Sequence, residues 1–185
     1  TYIDIIQSAK VDISAGRDAL SKKPQLNRLE KIIEGKVYFD NKKDKFYMKY
    51  GSSKVEFNLV AEGIRKIALL WQLMKNGTLE KGSVLFWDEP EANINPLHIP
   101  LIVDMLLELQ QGGVQIFIST HDYILSKYFD IKTSEKGMVE FHSLYKTDNG
   151  VKCESSSKFK NLKENTIRDT FIKLYKDEIK MEMDL

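Results

Sequence analysis

The sequence is poor in the residues that build cross-links and metal cages. It has one cysteine, Cys153, and three histidines in 185 residues. A single thiol excludes an internal disulfide, and this Cys/His supply excludes a zinc cluster of the usual spacing. Long apolar runs are absent too. The most apolar stretch, Pro96 to Leu109, is broken by His98, Pro100, Asp104 and Glu108, whereas a membrane helix needs about 20 apolar residues. The N-terminus carries no basic-then-apolar signal segment, so the expected location is cytoplasmic, with no membrane partner. Neither sign of charge dominates: 28 basic and 27 acidic residues leave a net charge of +1. Global charge therefore gives no argument for nucleic acid, while a local basic patch stays open. An initiating Met is missing as well, Thr1 standing first, as in a fragment or a processed chain.

What is present is a globular composition. Hydrophobic residues make up 42% and charged residues 30%, enough for a core and against disorder. The length fits one domain, with room for an added subdomain. Residues 2–20 read as a helix, with Ile3 and Ile6 in helical period. A second helix starts near Pro24, repeats Leu26, Leu29, Ile32 and Ile33, and stops at Gly35. From Lys36 to Phe57 the period becomes two, with turns at 40–44 and 51–53, the pattern of a small antiparallel meander. Residues 31–54 hold seven lysines against three acids, a net of +4, interleaved with Tyr38, Phe39, Phe46, Tyr47 and Tyr50. Two readings stay open there: a DNA or RNA surface, or a solvated lysine-rich edge that resists strand aggregation.

The rhythm then becomes α/β. Glu62 to Lys75 is an amphipathic helix with Ile64, Ile67, Ala68, Trp71 and Met74 on one side. Val84-Leu85-Phe86-Trp87 reads as a strand buried on both faces. Pro96 to Gln111 reads as a helix and Val114 to Ser119 as a second buried strand, which makes a β-α-β unit. A short helix over Asp122 to Phe129, a hairpin around Asp148-Asn149-Gly150 and a last helix over Asn161 to Lys180 complete the chain. Leu162, Ile167, Phe171, Leu174 and Tyr175 are expected to point inward, and Ser155-Ser156-Ser157 to form a flexible loop.

The chemistry concentrates in Val84 to Glu91. Four apolar residues deliver Asp88 and Glu89 to the carboxyl end of a strand, the edge where open α/β sheets bind ligands. Ionised carboxylates there need a partner, and Mg²⁺ held by nucleotide phosphates is one. Asp88 can hold the metal through water, and Glu89 reaches further and can orient an attacking water. The same string could instead be a strand ending in a capped turn, and His121, after the second strand, could be a packed or surface histidine.

Taken together, Asp88-Glu89, the following Pro90-Glu91-Ala92-Asn93-Ile94-Asn95-Pro96, and Ile116-Phe117-Ile118-Ser119-Thr120-His121-Asp122 resemble the Walker B, D-loop and switch segments of ABC/SMC-like AAA-family ATPases. Upstream, Val60-Ala61-Glu62-Gly63-Ile64-Arg65-Lys66 stands in the place of their signature. The resemblance covers roughly residues 31–180. It implies an α/β fold: the C-terminal lobe of a P-loop NTPase, with a central, mostly parallel sheet flanked by helices and a small antiparallel β meander. It divides the chain into a helical segment (1–35), the lobe (36–160) and a C-terminal helix (161–185). It implies ATP and Mg²⁺ as ligands, with Asp88 on the metal, Glu89 and His121 catalytic, and Glu62, Gly63, Asn93 and Asn95 at the nucleotide or across a dimer. Two departures qualify it. Ala61 replaces the signature serine, a loss that Arg65 or Lys66 could offset. No Gly-x-x-x-x-Gly-Lys-Ser/Thr loop occurs; Gly51-Ser52-Ser53-Lys54 lacks the leading glycine and joins two strands. The resemblance thus implies a missing N-terminal lobe, a homodimer of the intact protein, and an isolated chain without activity. The alternative is a non-catalytic module that binds a partner or nucleic acid on the same scaffold.

Overall fold

The computed structural model describes residues 8–10, 23–133 and 138–183. The helix expected over 2–20 lies outside the described residues except for 8–10, which are helical. The described residues divide after Ile118 into two compact units.

The first unit begins with α1 (Lys23–Ile33), which buries Leu26, Leu29, Ile32 and Ile33. The expected stop at Gly35 is shifted. Glu34 takes the left-handed turn at φ 51°, and Gly35 lets the chain pass the Lys49 carbonyl, which an added Cβ would meet at 2.6 Å. The meander follows as β1 (Lys36–Asp40), β2 (Lys45–Tyr50) and β3 (Ser53–Glu56), antiparallel in that order, with Val37 opposite Met48 and Met48 opposite Val55. Val37 and Met48 lie on its buried face. Next comes α2 (Glu62–Lys75), which packs along α1. Ile67, Ala68, Trp71 and Met74 are buried as expected, and Leu70, Gln72 and Leu73 join them, so α2 is enclosed beyond a single stripe.

The β-α-β unit is β4 (Val84–Asp88), α3 (Ile99–Gln111) and β5 (Gln115–Ser119). The helix expected from Pro96 starts in two steps: a 3₁₀ turn over Pro96–His98, then α3 with Pro100 in its first turn. Proline suits only the opening of a helix, so two prolines four residues apart make two openings. The bonds Gly82 N–H to Gly113 O and Gln115 N–H to Ser83 O, both 2.9 Å, advance the same way along both segments, so β4 and β5 pair in parallel. Arg28 Nη2 reaches both carboxylate oxygens of Glu108 at 2.5 Å and ties α1 to α3.

The expectation that both strands are buried on both faces fails. Burial alternates along β4 and β5. Leu85, Trp87, Ile116 and Ile118 are half-buried on one face, while Val84, Phe86 and Phe117 are 50%, 70% and 47% exposed on the other. The reason is that, among the described residues, the sheet has two strands and one covered side.

The second unit holds α4 (Tyr123–Lys132), the hairpin β6 (Phe141–Thr147) with β7 (Gly150–Ser156), and α5 (Thr166–Met183). The hairpin closes Thr147 on Gly150, whose φ of 103° suits only glycine. Ser155 and Ser156 belong to β7 and are no loop; the Ser155 hydroxyl lies 2.7 Å from His142 Nδ1 across the hairpin. Buried Asp130 knits the unit, accepting from Lys127 at 2.9 Å and from the Phe159 N–H at 3.1 Å. The inward face expected for the last helix is corrected. Only Leu162, ahead of the helix, is buried; Phe171, Leu174 and Tyr175 are exposed, and α5 buries no residue. Among the described residues, Phe171 stacks on Tyr123 at 4.4 Å. An amphipathic period specifies a face to be covered, and no described element covers this one.

Candidate functional site

β4 ends at Asp88, and the chain turns at once. Glu89 has a φ of 44° and Asn93 a φ of 63°. Left-handed backbone costs a side-chain-bearing residue about 1–3 kcal/mol and persists only where neighbours enforce it. The turn is braced from inside by Ala92 N–H to Glu89 O at 3.1 Å and Ile94 N–H to Glu91 O at 3.0 Å. Pro90 is fully buried beneath it.

The second brace comes from α2. Lys66 lies four residues after Glu62 and three after Gly63, so it neighbours both on the helix surface. Asn93 Nδ2 donates to Glu62 Oε2 at 2.9 Å. Gly63 abuts the same residue: a Cβ there would lie 2.0 Å from the Asn93 carbonyl oxygen. Lys66 Nζ donates to the Glu89 carbonyl at 2.9 Å. Three residues of the signature-like segment therefore hold the turn after β4. This gives Gly63 a reason the spacing did not: its missing side chain admits backbone of the same chain.

The other sequence-derived residues fall as follows. Asn95 accepts from Leu97 N–H at 3.0 Å and caps the 3₁₀ turn, so in this structure it and Asn93 are both engaged within the chain. Ala61 is the N-cap of α2 and supplies no capping side-chain bond. Lys66 donates to the Glu89 carbonyl in this structure. Arg65 is half-buried with no protein acceptor at Nε. His121 is exposed and belongs to the second unit. Beside it, Asp122 caps α4 by accepting from Leu125 N–H at 2.6 Å, and its own N–H donates to Thr120 Oγ1 at 2.9 Å.

Sequence reading assigned Asp88 and Glu89 to the nucleotide of this chain and Glu62, Gly63 and Asn93 to the nucleotide or across a dimer; it did not foresee that Glu62, Gly63 and Lys66 meet the turn after β4 in the same chain. A lysine aimed at a carbonyl has no local signature. The asparagine at 93 was a signal, since it tolerates left-handed backbone; the glutamate at 89 was not.

Among the described residues no group of three or more His, Cys, Asp or Glu could hold a metal ion. Asp88 and Glu89 thus fit a cation of the Mg²⁺ type only with phosphate oxygens and water completing the shell, which is how Mg²⁺ is usually bound.

Part of the basic meander is engaged within the chain. Tyr38 and Tyr47 stack at 5.7 Å, and Lys54 lies over both rings at 4.5 and 3.7 Å. Lys54 also donates to the Tyr38 hydroxyl and reaches Asp40 at 3.4 Å; the hydroxyl contact first, then Asp40, holds its ammonium above the ordinary lysine range. Lys45 pairs with Glu56 at 2.8 Å. Tyr47 is buried. Tyr38 and Tyr47 are thus engaged with each other and with Lys54, while Tyr38 stays 39% exposed.

A family model described as "AAA domain, putative AbiEii toxin, Type IV TA system" matches residues 11–126. No curated protein matches the sequence. Among solved structures, an Smc head bound to the C-terminal winged-helix domain of ScpA superimposes with a TM-score of 0.54 at 13% identity, covering 83% of this chain and 53% of that one. A Pyrococcus furiosus Smc head with an extended coiled coil gives 0.51 at 12%, covering 85% and 38%. A chain from a study of ATP-driven dimerization and DNA-stimulated activation of SMC ATPases gives 0.52 at 10%, covering 88% and 98%. At these identities the likeness is one of fold. The chain spans 53% and 38% of the first two heads.

Proposed function

Because this chain belongs to the AAA-domain family matched over residues 11–126 and has the SMC-head type of P-loop NTPase fold, we propose that it is the C-terminal part of an ABC-type ATP-binding and ATP-hydrolysing protein. It supplies the signature, Walker B, D-loop and switch histidine; a second half supplies the phosphate loop. The observation that carries this reading is the β4–β5 sheet. It ends in Asp88 and Glu89, and it leaves Phe86 and Phe117, stacked at 4.9 Å, on an exposed face. Exposed aromatic faces on a sheet are covered in α/β proteins by a further layer, and the N-terminal lobe is that layer.

In the assembled head, Asp88 would hold the magnesium through water, and Glu89 would orient, or take the proton from, the water that attacks the terminal phosphate. The metal, when bound with nucleotide, neutralises phosphate charge. His121 contacts the terminal phosphate. The uncapped first turn of α2, at Ala61 to Gly63, faces the nucleotide of a second head, and Asn93 and Asn95 report its arrival. Two heads thus close around two nucleotides as a homodimer.

Two preparations test this. The 185-residue chain alone is expected to turn over no Mg·ATP. A polypeptide in which these residues follow a phosphate-loop half is expected to hydrolyse it, and Glu89→Gln in that polypeptide is expected to stop hydrolysis and trap nucleotide. Turnover by the isolated chain that is lost with Glu89→Gln would sink the proposal, as would a joined polypeptide with none.

A further inference from the structure

We propose that Lys66 is a positioning residue for Glu89: its ammonium, by holding the Glu89 main-chain carbonyl, keeps the left-handed backbone that aims the Glu89 carboxylate. The inference rests on the reading of Glu89 as the water-orienting group. It starts from the backbone. Glutamate is an unusual occupant of φ 44°, so something must pay for that conformation. The Glu89 carbonyl has two lone pairs and two donors, Ala92 N–H at 3.1 Å and Lys66 Nζ at 2.9 Å. The first closes the turn on itself. The second is charged, part-buried and comes from another element, so it fixes the turn in space as well as in shape.

The direction of Glu89 depends on this. In left-handed backbone the Cα–Cβ bond leaves the strand along a different line from the extended one, so a return of Glu89 to extended φ would swing the carboxylate away. Pro90, fully buried, holds the next residue in place, so the swing falls on Glu89. Lys66 neighbours Glu62 and Gly63 on the surface of α2, and these two hold Asn93. A displacement of the first turn of α2 therefore reaches Glu89 through one side chain. In this arrangement the signature helix sets the catalytic glutamate of its own chain.

The experiment has two arms. In the 185-residue chain, hydrogen exchange of the Ala92 amide is followed in wild type, Lys66→Met and Lys66→Arg. Lys66→Met is expected to speed exchange there about tenfold while Tm is held, and Lys66→Arg to restore it. In the polypeptide joined to a phosphate-loop half, Lys66→Met is expected to lower kcat about tenfold at unchanged KM for Mg·ATP, with Lys66→Arg recovering most of the loss. Unchanged exchange, or unchanged kcat, overturns the positioning role. So does an equal loss in both variants with a fallen Tm, which is what a merely structural contact would give. A joined wild type without turnover sinks the ATPase reading and this inference together, and shows itself in the wild-type control before either variant is compared.

Discussion

Gly63 lies where a helix end meets a turn, and two opposed effects act on it. Alanine there would gain about 1 kcal/mol of helix propensity. Its Cβ would also sit 2.0 Å from the Asn93 carbonyl oxygen and 2.8 Å from the carbonyl carbon. Those are backbone atoms in a left-handed residue, so they cannot turn aside as a side chain would, and overpacking of this kind costs about 1–3 kcal/mol. The clash wins. Gly63→Ala is expected to lower Tm and to break the Glu62–Asn93 bond, which a thermal melt and the Asn93 side-chain amide resonances would register; a variant as stable as wild type would place the turn elsewhere. Two residues earlier the balance is favourable. Ala61 sits at the N-cap in extended backbone, φ −51° and ψ 139°, without a capping oxygen. Ala61→Ser is expected to add about 1 kcal/mol, read as a higher urea midpoint at unchanged slope. These pairings were only half legible from the residues. The spacing of Ala61 and Gly63 told that a helix opens there; that Gly63 meets Asn93, 30 positions on, is a tertiary fact.

At the scale of elements, the meander and α2 bury the residues their periods mark, such as Val37, Met48, Ile67 and Trp71, and then more: Tyr47 in β2 and Leu70, Gln72 and Leu73 in α2 are buried as well, because both elements are covered beyond one face. The two exceptions are β4–β5 and α5. An unbroken apolar run such as Val84 to Trp87 states that both faces can be covered; it does not supply the cover. In this chain the exposed side is where Phe86 and Phe117 stack. The double substitution Phe86→Ser with Phe117→Ser is therefore expected to cost the isolated chain little, about the 0.5–1.5 kcal/mol of the ring pair itself. In a polypeptide joined to the phosphate-loop half, the same change is expected to cost about 3–5 kcal/mol per ring. Chemical denaturation of the two preparations measures the difference, and equal losses would mean that no lobe covers this face. In the same way the period of α5 was right and its inward face was not: Leu174 and Tyr175 are each 63% exposed.

At the scale of the molecule, the family match over residues 11–126 runs past the end of the first unit at Ile118 and into the second. No helix among the described residues is long and apolar enough to cross a membrane, as the broken apolar stretch already indicated. The sequence by itself determined the order of the described elements, the place of Asp88 and Glu89 at the end of one strand and of His121 past the next, and that these 185 residues hold no phosphate-loop motif. These are local matters: period, proline and glycine placement, and the adjacency of acids to an apolar run act over a few residues. Only the tertiary structure decided that Glu89 and Asn93 are left-handed, that Glu62, Gly63 and Lys66 brace them, that Tyr38 and Tyr47 of the meander stack on each other, and that one face of the sheet is open. Each depends on groups far apart in the chain meeting at van der Waals or hydrogen-bond distance, and a pattern along one strand or helix carries no record of what will be placed against it.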